Sequence, residues 1–157
     1  MIVGARPLVR MAPEAAEAIR IEAARAYPAE GCGALLGPAE AAVSEIVPLA
    51  NAEASMPRTR FTVSPLDYIA AEDRADARGL KLLGFWHSHP DHPARPSPTD
   101  RAYAWPGLLT LVIGVERGDP GEMTAWDVPG HEEPFRQLDL EIAPRRDSEI
   151  ALQKEPT

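Results

Sequence analysis

The segment from Lys81 to Pro90 constrains this chain more than any other. Leu82-Leu83-Gly84-Phe85-Trp86 is a short, nearly continuous apolar run, and it leads directly into His87-Ser88-His89-Pro90. A run of this length and composition reads as a buried strand. In an extended strand, residues two apart point to the same side. His87 and His89 can therefore present two imidazoles to one point, with backbones about 7 Å apart by strand rise. Pro90 then stops the strand, because it has no N–H to give to the ladder.

Helix and strand signals alternate around this segment. Pro13 to Tyr27 carries apolar residues at amphipathic helical spacing, with Pro13 early and Pro28 closing it. Cys32 to Leu36, bounded by Gly31 and Gly37, reads as a buried strand, and Ala42 to Leu49 is expected to pair with it. Arg60 to Val63 reads as a further short strand. Ser64 has the character of an N-cap, with Pro65 at the first helical position, Asp67 at the capping-box position and Gly79 closing the helix. A short helix is expected to start at Ser97. Leu108 to Val115 is the strongest strand signal. Gly118-Asp119-Pro120-Gly121 reads as a turn that returns Met123 to Val128 as a hairpin, and Phe135 to Ile142 as a last strand. The expectation is one α/β domain, a twisted mixed sheet flanked by helices, over residues 1–143. Residues 144–157 are expected to form a polar, flexible tail.

Composition removes several classes of function. The 157 residues suit one domain, and an apolar content of 45% supports a packed core. A net charge of −8 argues against nucleic-acid binding, which needs clustered cations. No apolar run reaches the roughly 20 residues that span a bilayer, and no secretory signal stands at the start, so a cytoplasmic protein is expected. One cysteine excludes a disulfide framework and a cysteine-rich zinc knuckle.

Three of the four histidines, His87, His89 and His92, fall within six residues. Asp100 follows after a proline-bearing loop. Two histidines and a carboxylate form a ligand set that leaves one tetrahedral position open for water. Zinc in such a site lowers the pKa of its water toward about 7 and polarises a carbonyl. Simpler readings stand beside this one. An HxH pair can be two exposed strand residues, and Ser97-Pro98-Thr99-Asp100 is fully explained as a helix N-cap. His92, between prolines, reads as an exposed loop residue, and His131 as a surface turn residue. A hydrolytic site also needs a proton shuttle, and no HExxH is present. Glu30, between the first helix and the Cys32 strand, is the candidate; its alternative is an exposed helix-end glutamate. Cys32 is either a core residue or, in a regular strand, a thiol sharing a face with Glu30.

Glu30-Gly31-Cys32-Gly33-Ala34-Leu35-Leu36-Gly37, then Gly84-Phe85-Trp86-His87-Ser88-His89-Pro90, then Ser97-Pro98-Thr99-Asp100 together resemble the JAMM (MPN+) metallopeptidases. The three separate stretches agree in identity and order, and the resemblance runs from the first helix to about Ile142. It implies the family's mixed-sheet MPN fold, related to that of cytidine deaminases, and one Zn²⁺ per chain held by His87, His89 and Asp100. It further implies Glu30 as the general base and Ser97 as a hydroxyl that helps hold the oxyanion. Ser88, facing the other way in the strand, reads as structural.

The resemblance also implies a substrate class. Family members cleave amide or isopeptide bonds after the C-terminal Gly-Gly of ubiquitin or ubiquitin-like proteins. The short loops here are similar to those of the compact prokaryotic branch, whose expected partners are small ubiquitin-like sulfur-carrier proteins. A Gly-Gly tail suits a narrow channel, expected beside Trp86. Two alternatives stay open: a non-catalytic scaffold of the same fold, and a peptidase of a cell-wall or phage-tail system. Oligomeric state is not read from the sequence.

Overall fold

The computed structural model describes residues 7–50, 63–130 and 133–144. Its elements are β1 (Leu8–Met11), α1 (Pro13–Ala26), β2 (Cys32–Gly37), β3 (Ala42–Val43), β4 (Glu45–Leu49), α2 (Pro65–Ala77), β5 (Lys81–Pro90), α3 (Pro98–Tyr103), β6 (Leu109–Glu116), β7 (Asp119–Asp127) and β8 (Arg136–Ile142). The strands form one sheet in the order β3-β1-β8-β7-β6-β5-β2-β4. It is mixed: β5 and β6 run parallel, as do β1 with β8 and β1 with β3, while the remaining pairs are antiparallel.

Helices cover both faces, and strand alternation sorts the side chains between them. α1 sets Ala15, Ala16, Ile19 and Ala23 against Leu35, Trp86, Leu111 and Ile113. α2 sets Ala71 and Ala75 on the other face against Ala34, Leu36 and Phe85. β2 is therefore buried at every position, as a two-sided central strand must be. Gly33 is required where it stands. A Cβ there would collide with the indole Nε1 of Trp86 and the carbonyl of Val47. No helix among the described residues is long and apolar enough to cross a membrane.

Several boundaries depart from the sequence expectation. The Ala42 to Leu49 segment is two strands: Ala42–Val43 pairs with β1, and only Glu45–Leu49 pairs with β2. Leu8–Met11, which carried no distinctive pattern, is a strand because it is held between β3 and β8. The hairpin turn lies at Arg117-Gly118, ahead of the expected site. Both residues have positive φ, 52° and 84°, which suits the tight turns that match sheet twist. Pro120 thus lies inside β7, opposite Val115 and beside a register shift that relieves its missing N–H. Residues 60–62 of the expected Arg60 to Val63 strand, His131 and residues 145–157 of the expected tail lie outside the described residues, and Val63 itself is in no strand.

A side-chain anchor holds the end of β5 in place through ordinary hydrogen bonding. Asp91, at φ 57°, accepts from the Tyr27 hydroxyl at 2.8 Å and from the Arg117 N–H at 2.7 Å. That one carboxylate joins the end of α1, the end of β5 and the β6–β7 turn.

Candidate metal centre

β5 delivers two imidazoles to the α2 face of the sheet, as its period of two requires. His87 and His89 are both buried, at 1% and 6% exposure. The next element delivers the carboxylate. Ser97 caps α3 by accepting from the Asp100 N–H at 3.1 Å, and the Ser97 N–H donates to Asp100 Oδ2 at 2.7 Å. This capping box fixes Asp100 rigidly. The residues that form the expected N-cap thus also hold Asp100 beside the two histidines.

Three donor atoms converge. His87 Nε2 and His89 Nε2 are 3.2 Å apart, His87 Nε2 and Asp100 Oδ2 are 3.2 Å apart, and His89 Nε2 and Asp100 Oδ2 are 3.0 Å apart. Zinc–ligand bonds of about 2.0–2.1 Å at tetrahedral angles put neighbouring donors about 3.3 Å apart. The near-equilateral triangle therefore fits a tetrahedral ion with a fourth position open. Among the described residues, these three are the group of His, Cys, Asp and Glu side chains close enough to hold a metal.

The tautomer of His89 is set by its surroundings. Its Nδ1 donates to the Pro93 carbonyl at 2.8 Å, which leaves Nε2 facing the triangle. The next peptide along, Ala94–Arg95, is pinned from a distant strand. Thr124 donates its hydroxyl to the Ala94 carbonyl at 2.5 Å and accepts from the Trp126 indole N–H at 2.8 Å. Sequence reasoning did not single out Thr124, and no local signal marks it. It is a polar residue in a hairpin strand until the fold brings it 30 positions back to Ala94.

Charge is tightly coupled in the cluster. Burial pushes the Asp100 carboxyl up, but the imidazoles of His87 and His89 and the Ser97 N–H outweigh it and hold the group well below the usual carboxylate range. Burial likewise disfavours the His89 cation, yet Asp100, the Pro93 carbonyl and Glu30 raise its pKa above the ordinary value.

Glu30 is buried at 6% exposure, so the alternative of an exposed helix-end glutamate does not hold. Burial, reinforced by the charge of Asp100 and opposed by His89, pushes its pKa up to about 8. Its segment is positioned by Ser88, on the opposite side of β5 from the imidazoles. Ser88 Oγ accepts from the Gly31 N–H at 2.8 Å, and the Ser88 N–H donates to the Gly31 carbonyl at 3.0 Å. Cys32 faces His87 across the β2–β5 ladder but directs its thiol to the Leu49 carbonyl at 3.4 Å, outside the donor triangle. Burial pushes this thiol up to about 12.

An open cleft of about 330 Å³ contains Glu30, His89, Arg95, Ser97 and Thr99 in its walls. His92 lines its exposed edge and takes no part in the triangle. A larger depression of about 760 Å³ lies on the far side of the Asp91–Ala94 loop, against the β6–β7 hairpin, and holds neither Glu30 nor the ligand atoms. Trp86 corrects one expectation. It is fully buried on the α1 side of the sheet and borders a separate depression of about 210 Å³, so the cleft at the histidines does not run beside it.

The sequence pattern of the prokaryotic homologs of the JAB domain matches residues 12–129. Among characterised proteins, the chain is 35% identical over 117 residues to a desampylase of Haloferax volcanii, covering 73% of this chain and 79% of that one. It is 38% identical over 100 residues to a probable TtuB-protein conjugate cleaving protease of Thermus thermophilus, covering 64% and 66%. It is 36% identical over 104 residues to tail tip assembly protein K of Escherichia phage N15, covering 66% of this chain and 40% of that protein. Among solved structures, protein DSY2949 of Desulfitobacterium hafniense superposes with a TM-score of 0.76 at 26% identity, covering 87% and 94% of the two chains. A Salinibacter ruber protein superposes with a TM-score of 0.66 at 35% identity, covering 88% and 94%. AF2198 of Archaeoglobus fulgidus, a JAB1/MPN domain protein, shares the fold at a TM-score of 0.53 and 17% identity, covering 86% of this chain and 100% of that one. With the motif, the sheet and the donor triangle in agreement with these matches, the chain belongs to the prokaryotic JAB domain family.

Proposed function

We propose that this protein is a zinc metallopeptidase that hydrolyses the amide or isopeptide bond after the C-terminal Gly-Gly of a small ubiquitin-like carrier protein. The observation that carries this reading is the buried triangle of His87, His89 and Asp100 beside a buried carboxylate, with His89 and Glu30 both lining one open cleft. The names of two relatives, a desampylase and a conjugate-cleaving protease, support a hydrolase acting on such conjugates.

His87, His89 and Asp100 hold the zinc ion, one per chain. When bound, the ion supplies a Lewis acid that acidifies a water and polarises the scissile carbonyl. Glu30 takes the proton from the attacking water and returns it to the leaving amine. Its raised pKa keeps it protonated near neutrality without a cation nearby, and positive charge in the ligand triangle favours the ionised base. Ser97 keeps its hydroxyl hydrogen available, because in the capping box its Oγ acts as acceptor, and it donates to the developing oxyanion.

The test is a zinc-loaded protein incubated with a ubiquitin-fold carrier bearing residues beyond Gly-Gly, read by mass spectrometry. Wild type is expected to release the residues after Gly-Gly, and Glu30→Gln is expected to keep zinc and lose turnover. Equal cleavage by both proteins removes Glu30 from the mechanism. A second reading, a peptidase of a phage-tail system, is favoured by the match to the N15 tail protein, although this chain spans less than half of it. Cleavage of cell-wall peptides with Gly-Gly carriers left intact would select it. A non-catalytic scaffold predicts no bound zinc in the purified protein.

A further inference from the structure

Glu30 reaches the cleft on the connection Pro28-Ala29-Glu30-Gly31 between α1 and β2. A connection of this kind has no ladder of its own, so its placement depends on where its ends are tied. Both ends are tied to the strand that carries the histidines. At the β2 end, Ser88 and Gly31 exchange two hydrogen bonds, at 2.8 Å and 3.0 Å. At the α1 end, the Tyr27 hydroxyl donates to Asp91 Oδ2 at 2.8 Å. Ser88 and Asp91 stand on either side of His89-Pro90. The proposed base and a proposed ligand are therefore both referenced to one stretch of chain, Ser88 to Asp91.

Asp91 is a fixed post for the Tyr27 contact. Its N–H donates to the Val115 carbonyl at 2.7 Å, and its Oδ1 accepts from the Arg117 N–H at 2.7 Å. Its φ of 57° is a backbone state that aspartate tolerates better than most residues. The Tyr27 ring stands beside Gly118 of the β6–β7 turn, where an added Cβ would lie 3.7 Å from it. The phenol thus joins the end of α1 to a frame built by β5, β6 and the turn. An exposed hydrogen bond like this one adds little to stability. What the hydroxyl adds is placement. A general base must lie within hydrogen-bond reach of the proton it takes, and a misplacement of about 1 Å costs up to roughly 100-fold in rate. Tyr27 itself does not line the cleft.

We propose that Tyr27 is a positioning residue: through its hydrogen bond to Asp91 it sets where Glu30 stands relative to His87 and His89. The inference rests on the reading of Glu30 as general base given above. It assigns control of turnover to a side chain outside the cleft that holds neither the metal nor the carrier.

The experiment uses Tyr27→Phe, which deletes the hydroxyl and keeps the ring beside Gly118. Asp91 is left intact because it lies two residues from His89, and its loss would act on that histidine directly. Zinc-loaded wild type and variant are compared for kcat and KM on a ubiquitin-fold carrier ending in Gly-Gly-Ala. Zinc affinity is read by chelator competition. The metal-free proteins are compared for Tm and for amide hydrogen exchange at Ala29 and Gly31, whose N–H groups are bonded to the Ala26 carbonyl at 2.9 Å and to Ser88 Oγ at 2.8 Å. Tyr27→Phe is expected to lower kcat by about tenfold while KM and zinc affinity stay within about twofold. Its Tm is expected within about 4 °C of wild type, with exchange at Ala29 and Gly31 faster by about threefold or more. A kcat within about twofold of wild type, a loss of zinc affinity as large as the loss of kcat, a change confined to KM, or unaltered exchange at Ala29 and Gly31 overturns the assignment. If wild type cuts the carrier and Tyr27→Phe cuts it equally fast, the peptidase reading stands and this inference fails. If wild type leaves the carrier uncut, both fail.

Discussion

Replacing Thr124 with valine nearly keeps the side chain's shape and deletes a hydroxyl that serves two partners at once. The Ala94 carbonyl loses its donor at 2.5 Å, and the Trp126 indole N–H loses its acceptor at 2.8 Å. Ala94 is buried and Trp126 half-buried, so the two unsatisfied groups together cost about 2–3 kcal/mol. For a domain of this size that is a fall in Tm of roughly 4–12 °C. The second consequence is at the metal. The Pro93 carbonyl that orients His89 belongs to the peptide preceding Ala94, so loosening this turn loosens the tautomer lock. Partners that orient a metal-bound histidine are commonly worth about 10–100-fold in metal affinity, and Thr124 acts one bond further out, so about tenfold is expected. Circular dichroism melting of the metal-free protein reads the first effect, and zinc competition against a chromophoric chelator reads the second. Thr124→Ser keeps the hydroxyl and is expected to restore most of the zinc affinity. A Thr124→Val protein with Tm within roughly 1 °C and zinc affinity within roughly twofold of wild type would refute the reasoning, because the predicted losses are several times larger.

Asp100→Ala leaves two donors of the triangle and is expected to weaken zinc by at least about 100-fold, measured by the same competition. Glu30 provides a pH test on the metal-free protein. Its folded pKa is about 8 against an ordinary value of 4.5, so the folded state binds the extra proton between these values and stability falls as pH rises through that window. Glu30→Gln removes this penalty, so its stability relative to wild type is expected to improve by about 2–4 kcal/mol between pH 5 and pH 8 in urea titrations; a pH-independent difference would count against the burial account. Ser88→Ala strands the Gly31 N–H at the root of the Glu30 segment and is expected to cost about 1–3 kcal/mol in the same titrations. Gly33→Ala forces a methyl against the Trp86 indole and the Val47 carbonyl, and is expected to destabilise by about 1–3 kcal/mol without changing the ligand set.

Much of the architecture was legible because it is encoded between near neighbours. The period-two placement of His87 and His89, the caps at Ser64 and Ser97, and the buried run of β2 all depend on residues within a few positions of one another. The misplaced features have a different origin. The β6–β7 turn sits at Arg117-Gly118 with the Arg117 N–H held by Asp91, 26 residues away. Leu8–Met11 is a strand by virtue of the two strands that flank it, β3 and β8, both remote from it in the chain. Trp86 looked like a wall of the cleft because it adjoins His87, yet alternation turns it to the opposite face.

The sequence alone therefore determined which residues can be ligands and that two of them share a strand face, since strand geometry depends only on the backbone. Tertiary structure decided that Glu30 is buried beside them, that Cys32 stands aside, and that Thr124 supports the loop carrying Arg95. Those outcomes depend on register between strands and on burial, which join residues 30 to 57 positions apart and leave no trace in local pattern.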